Sequence, residues 1–239
     1  MLIRRSFQDI LRVAMLDIDG TMIHGSLGLR LIDRLHEEGL GAPKVQDRVN
    51  AIISRHKQGE LSYPHMVEAA TEAYTAAIAG LHVSTVAEVA ACLWKQIAHE
   101  LFPFVAPMVE LLRRRSLRPV IISSSPTVIV GQLAAALEID DFTGSLFAVK
   151  NEVYAGHCEH MPGRPGGKFE ALRRVIGNGI DLAGSFAIGN AQSDACVLER
   201  VGVPLVFEPT PELRALALDA GWTISDRHQI IDTLNTLLG

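Results

Sequence analysis

The sequence predicts an α/β fold: a doubly wound, mostly parallel sheet with a Rossmann-like core, into which an α-helical cap is inserted. Three observations carry this. Short apolar runs at residues 13–16, 119–122, 185–188 and 204–207 are followed by helical patterns, the order that builds parallel βαβ units. Residues 26–102 carry apolar side chains at spacings of three and four and show no convincing strand, so they read as a small helical bundle set into the alternating part. Three of the apolar runs end in polar residues, at the place where open α/β sheets hold their ligands.

Taken in order, residues 13–16 form the first strand, and helices follow over 27–38, 44–57, 63–79 and 85–101. Gly39-Leu40-Gly41-Ala42-Pro43 separates the first two helices, while Gly59 and Tyr63-Pro64 bracket the next junction. Thr85, with Glu88 three residues later, is a capping-box signature for the fourth helix. From Val105 the pattern alternates: a helix over 105–115, a buried strand over 119–122 that runs into Ser123-Ser124-Ser125-Pro126, and a helix over 127–137. Residues 142–154 read as a β-hairpin turning at Lys150-Asn151, and a loop rich in Gly and Pro leads to a helix over 167–176. Strand 185–188 ends at Gly189-Asn190, and a helix over 191–201 follows. A strand over 204–207, a helix from Pro211, a short strand over 222–224 and a last helix complete the chain. The expected division is a core of residues 1–25 and 103–239, with a small hairpin near 142–156, and a cap of residues 26–102.

Bulk composition narrows the class. With 48% hydrophobic and 21% charged residues the chain has ordinary soluble globular usage, and its 239 residues suffice for a sizeable core. The net charge of −5 argues against a general nucleic-acid or membrane-surface binder. The one basic cluster, Arg113-Arg114-Arg115, falls at an expected helix end, where cations complement the dipole. Cys92, Cys158 and Cys196 are odd in number and widely spaced, which points to a reducing compartment. No apolar run is long enough for a signal peptide behind Met1-Leu2-Ile3-Arg4-Arg5 or for a bilayer span. The expectation is a cytoplasmic monomer or homodimer with no nucleic-acid or membrane partner.

The candidate chemistry lies at the strand ends. Asp17 and Asp19 are two apart after the first strand, so both face one side of the sheet, where like charges call for a cation or two different proton states. Ser123 ends the second run, Asn190 the third with Asp194 just beyond, and Lys168 opens a helix. Carboxylate and amide oxygens suit a hard cation such as Mg²⁺, and lysine and serine hold phosphoryl oxygens. The set matches metal-assisted phosphoryl transfer. His157-Cys158-Glu159-His160 has metal-binding residue types, but no partner pair elsewhere completes a zinc set, and a surface or lid loop is the simpler reading.

Asp17-Ile18-Asp19-Gly20-Thr21, Val120-Ile121-Ile122-Ser123, the helix-opening Lys168 and Gly189-Asn190-x-x-x-Asp194, in that order, resemble the four motifs of the haloacid dehalogenase-like hydrolase superfamily. The helical insert between the first two motifs resembles its phosphoserine-phosphatase-like branch. The resemblance implies an Mg²⁺-dependent phosphatase. In it Asp17 is the nucleophile that becomes an aspartyl-phosphate, and Asp19 is the acid and base whose main-chain carbonyl also ligates the metal. It further implies that Thr21 fixes the turn beside the phosphate, Ser123 binds a phosphoryl oxygen, Lys168 neutralises phosphorylated Asp17, and Asp194 serves the metal directly or through water.

Two departures from the pattern stand out. Asn190 replaces the usual metal-ligating aspartate, so the expected Mg²⁺ affinity is weaker, or the asparagine serves only the turn. Residues 22–36 lack the glutamate that phosphoserine-specific relatives place after the first motif, which lowers the expectation of phosphoserine as substrate. His24, Ser26 and Arg55 are the cap-side contacts suggested instead. The alternatives are a phosphotransferase that uses the same intermediate, and a catalytically weak relative that binds phosphorylated ligands.

Overall fold

A computed structural model describes residues 11–42 and 44–239. The start read above for a leader, and Pro43 of the Gly39–Pro43 break, lie outside the described residues. Seven strands form one sheet in the order β4-β3-β2-β1-β5-β6-β7, comprising β1 (Val13–Leu16), β2 (Arg118–Pro126), β3 (Phe142–Lys150), β4 (Val153–His160), β5 (Phe186–Gly189), β6 (Val203–Phe207) and β7 (Thr223–Ser225). Every pairing is parallel except β3 with β4. All four residues of β1 are buried, as a central parallel strand covered on both faces requires. Their side chains alternate: Ala14 and Leu16 join Ile121, Ile188 and Phe207 on one face, while Val13 and Met15 join Val120, Ile122 and Ala187 on the other.

The chain runs outward from β1 through β2 and β3 on one side and through β5, β6 and β7 on the other. This reversal opens a crevice at the carboxyl ends of β1 and its neighbours, the general place for a ligand in such sheets. Helices α7 (Gly167–Ile176), α8 (Ala195–Leu198) and α9 (Pro211–Ala220) supply apolar residues to one face; α5 (Val105–Arg114), α6 (Thr127–Ala136) and α10 (Ile230–Leu237) supply the other. The fold is thus the α/β, doubly wound sheet with an inserted α-helical cap.

The insert consists of α1 (Leu27–Glu37), α2 (Val45–Lys57), α3 (Tyr63–Ile78) and α4 (Val83–Ile97). α1 packs on α4, α4 on α6, and α2 on α3. The apolar cluster under the sheet continues through Leu31 and Ala90 into Val49 and Ala77, so insert and sheet share one core. The segment between α3 and α4 adds to the edge of β4: Gly80 N–H donates to Tyr154 O (3.0 Å), Tyr154 N–H to Leu81 O (3.0 Å) and Val83 N–H to Glu152 O (2.8 Å).

Several boundaries differ from the sequence reading. β2 continues to Pro126, because Pro126 pairs with Ser145 of β3 beyond an irregularity after Ile122. The hairpin turns at Asn151-Glu152, both left-handed (φ 51° and 61°) as a tight two-residue turn demands, and β4 runs on to His160. α4 starts two residues before Thr85: the His82 ring accepts from Ser84 N–H, so histidine and not the Thr85 box caps it. The single helix expected over 191–201 is a 3₁₀ turn (Gln192–Asp194) followed by the short α8. Arg113 at the end of α5 donates to the carbonyls of Leu137 (2.9 Å) and Glu138 past the end of α6, a structural use of the basic triplet. No described helix is long and apolar enough to cross a membrane.

Candidate active site

The turn after β1 holds itself together through its backbone. Thr21 and Met22 N–H donate to Ile18 O (3.0 and 2.8 Å), and Gly20 N–H donates to Ile23 O (2.9 Å). Gly20 is left-handed (φ +82°), and a Cβ there would stand 2.1 Å from Asn190 Nδ2, so the turns after β1 and β5 meet at a point only glycine permits. With the backbone satisfied, both aspartate side chains are free to face the crevice.

Asp17 is buried, and Thr21 Oγ1 donates to its Oδ2 at 2.8 Å. Lys168, in the first turn of α7 and 1% exposed, bridges Asp17 Oδ1 and Asp194 Oδ1, each at 2.5 Å. Burial alone would pull this ammonium down, but the Asp17 and Asp194 charges overcome it and hold its pKa above the ordinary value.

Asp19 has different partners. Its Oδ1 accepts from Leu27 N–H at the start of α1 (2.9 Å), and its Oδ2 from Ser125 Oγ (2.5 Å), with Ser26 Oγ (3.4 Å) and Ser123 Oγ (3.5 Å) farther off. Burial, reinforced by the Asp17 charge, pushes the Asp19 carboxyl up to about 6 against the opposing Ser125 bond. One aspartate therefore lies against a fixed cation, while its neighbour sits among hydroxyls and holds a proton more readily than usual. That is the separation of roles expected of a nucleophile and an acid.

After β5, Asp194 turns inward. Its Oδ1 receives Lys168, and its Oδ2 receives the N–H groups of Asn190 and Ala191 (3.0 Å each). A Cβ on Gly189 would lie 2.2 Å from Asp194 Cγ, so the Gly189 position is also confined to glycine. Burial and the neighbouring Asp17 charge raise the Asp194 pKa. Asn190 Oδ1 is buried and has no hydrogen-bond partner. An orphaned oxygen in such a place costs about 1–3 kcal/mol unless something occupies it.

Among the described residues no three His, Cys, Asp or Glu side chains are grouped to hold a metal ion, and none donates a hydrogen bond to the Asp19 carbonyl. The oxygens that fit a hard cation are therefore a mixed set: an Asp17 carboxylate oxygen, the Asp19 carbonyl and the orphaned Asn190 Oδ1. Asp194 does not line the cavity and stands behind them.

A cavity of about 300 Å³ opens over these residues. Asp17, Asp19, Lys168 and Asn190 line it, as do Ser124, Ser125 and Ser26, whereas Thr21, Ser123 and Asp194 lie beneath its surface. Of the suggested cap-side contacts only Ser26 reaches it. His24 stacks edge-on to Phe102 in a different depression, and Arg55 is exposed beside Glu60. Ser125, which the sequence does not single out, is the nearest partner of Asp19 and also accepts from Gly28 N–H (2.7 Å). Tyr63 and Tyr74 also line the cavity, and nothing in helical periodicity marks them out from core residues. Cys158, by contrast, turns its thiol to the carbonyls of Leu146 (3.3 Å) and His160 (3.2 Å).

Sheet, insert and strand-end carboxylates together define a capped α/β fold whose polar strand ends are gathered at one crevice. The chain belongs to the haloacid dehalogenase-like hydrolase family, whose model matches residues 14–199. It is 26% identical to phosphoserine phosphatase SerB2 of Mycobacterium tuberculosis (strain ATCC 25618 / H37Rv), over 95% of this chain and 50% of that protein. It is 27% identical to the inhibition of morphological differentiation protein of Streptomyces azureus, over 90% of this chain and 78% of that one. The chain thus spans half the length of the mycobacterial relative. Among solved structures it is similar to a protein of unknown function from Bordetella pertussis Tohama I (TM-score 0.76, 20% identity, 91% of this chain and 99% of that one). A substrate-bound phosphoserine phosphatase is also similar (TM-score 0.68, 16% identity, 93% and 98%). At these identities the structural likeness speaks to the fold.

Proposed function

We propose that this protein is an Mg²⁺-dependent phosphatase that hydrolyses a small phosphorylated metabolite through an aspartyl-phosphate on Asp17. The observation that carries the reading is the buried Lys168 ammonium held 2.5 Å from Asp17 Oδ1, with Asp19 alongside in a setting that favours its protonated form. In the first half-reaction an Asp17 oxygen attacks phosphorus, the ester P–O bond breaks, and the Asp19 proton passes to the leaving oxygen. In the second, Asp19 takes a proton from water, the water oxygen attacks phosphorus, and the Asp17–phosphate bond breaks to release inorganic phosphate. Thr21 fixes the Asp17 carboxylate, Lys168 holds a phosphoryl oxygen, Asp194 anchors Lys168, and Ser123, beneath the cavity, accepts from Ser125 N–H (3.1 Å) and so positions the end of β2. Asp17, the Asp19 carbonyl and Asn190 Oδ1 are the groups that would hold Mg²⁺, and the ion, when bound, supplies positive charge that screens the phosphoryl oxygens from Asp17. Residues 26–102 act as the cap that covers the reacting groups. Three free cysteines support a reducing, cytoplasmic setting.

Phosphate release from a generic aryl phosphate, with Mg²⁺ and after chelation, tests the reading. Turnover is expected only with the ion, and Asp17→Asn is expected to reduce it by at least about 10³-fold, as loss of a nucleophile does. Undiminished turnover by that variant would rule out the covalent route.

A further inference from the structure

The cavity is charged at one end and apolar at the other, and this difference addresses which ester it admits. Among the described residues, its charged lining groups are Asp17, Asp19 and Lys168, all at the reacting end. The cap contributes Val49 and Ile53 from α2 and Met66, Val67 and Ala70 from α3. Beyond them Tyr74 and Phe147, stacked with centroids 5.4 Å apart and planes 12° from parallel, form an aromatic wall.

Most of the polar side chains at this end are already committed; Ser124, beside Val67, keeps the one free hydroxyl among the described residues there. Tyr74 Oη donates to Gly28 O (3.0 Å), Tyr63 Oη to Gly163 O (2.9 Å), Thr71 Oγ1 to Val67 O (2.8 Å) and Ser145 Oγ to Ser124 O (2.8 Å). Arg55, the one basic side chain on α2 suggested as a substrate contact, is paired with Glu60 outside the cavity.

A leaving group carrying an ammonium and a carboxylate, or several hydroxyls, would meet no opposite charge at this end and only the Ser124 hydroxyl as a free donor. Burying a polar group without a hydrogen bond costs about 1–3 kcal/mol on protein-derived scales, and an unpaired charge far more. A hydrocarbon leaving group meets the opposite balance, since each CH₂ buried is worth about 0.8 kcal/mol. The volume of about 300 Å³ lies at the small end for a ligand site, with room for a phosphoryl group and roughly one ring or a short branched chain.

We infer that the substrate is the phosphate monoester of a small, uncharged, apolar alcohol or phenol, with its hydrocarbon part seated against Met66, Val67, Tyr74 and Phe147. The inference rests on the phosphatase reading above and specifies what that site accepts.

The test uses the full chain with Mg²⁺ and compares isopentyl phosphate with O-phosphoserine and glycerol phosphate. All three are alkyl esters, so intrinsic leaving ability contributes little to the comparison; acetyl phosphate reports the chemistry alone. The expected kcat/KM for isopentyl phosphate is at least about 100-fold above either polar ester. Met66→Glu is expected to lower that ratio at least about fivefold, since it sets a charge in the apolar wall. A ratio near one, or a preference for phosphoserine or glycerol phosphate, overturns the inference. If acetyl phosphate and every ester stay intact, the phosphatase reading itself fails. Calorimetric titration with isopentylphosphonate and with phosphoserine then decides the pocket: tighter binding of the phosphonate sustains the apolar assignment, and equal or tighter binding of phosphoserine overturns it.

Discussion

Two turns close the carboxyl ends of β1 and β5, and they use their acidic residues in opposite ways. In the turn after β1 the backbone bonds to itself, Gly20 through Met22 donating to Ile18 and Ile23 carbonyls, so Asp17 and Asp19 face the cavity. In the turn after β5 the N–H groups of Asn190 and Ala191 are taken by Asp194 Oδ2, and its other oxygen by Lys168. Asp194 is thereby held within the turn, and Asn190 rather than Asp194 lines the cavity. The contrast teaches that an aspartate at a strand end is available for chemistry only where the turn's own donors have found other acceptors.

Removing what joins the two turns should have the largest effect. Lys168→Met leaves Asp17 and Asp194 as neighbouring buried carboxylates without their cation, and breaking a buried pair in this way costs about 3–5 kcal/mol. Urea unfolding of the metal-free protein measures it. A loss below about 1 kcal/mol would mean that the two turns do not depend on this ammonium.

A pH series isolates the turn after β1. The folded-state pKa of Asp19 is raised from 3.8 to about 6, so between these values the folded protein binds more protons than the unfolded chain. Its contribution to stability is therefore greatest at about pH 4 and falls as pH rises through about 6. In metal-free protein this group should account for a loss on the order of 2 kcal/mol between about pH 4 and 7. Asp19→Asn should flatten that part of the profile in paired urea titrations, and an unchanged slope would reassign it to other carboxylates.

The smallest change concerns the turn after β5. Asn190→Asp converts the orphaned amide oxygen into a charged one beside Asp17, and about tenfold less Mg²⁺ should then give half-maximal phosphate release. Activation at an unchanged Mg²⁺ concentration would assign Asn190 to the turn alone.

Legibility in the sequence followed the range of the forces involved. β1 and α7 were readable because each is fixed by its own burial pattern and local breakers: four apolar residues into Asp17, and glycines into Lys168. The extension of β2 was hidden because Ser123-Ser124-Ser125 have no strand preference of their own; the strand continues there because Pro126 and Ser145 pair across to β3. Thr85 and Glu88 form a sound capping pattern, yet His82 lies where the chain leaves the edge of β4, and that tertiary contact sets where α4 begins. The residues at the strand ends could be named from their spacing. Ser125 as the partner of Asp19 could not, because the bond spans 106 positions and depends on how β2 ends beside β1. For the same reason, the apolar wall of the cavity is a property of assembled helices and no single stretch carries it.

The pairing of residues 80–83 with β4 has a consequence for self-association. β4 is the outermost strand on its side of the sheet, eight residues long, and an uncovered strand of that length offers a template for a second chain. Gly80, Leu81 and Val83 occupy part of that edge with three backbone hydrogen bonds, while the opposite edge, β7, has only three residues. The insert that lines the cavity thus also blocks the start of this edge to a second copy. A chain engineered without it would lose more than selectivity, because the bare hairpin would be free to recruit another.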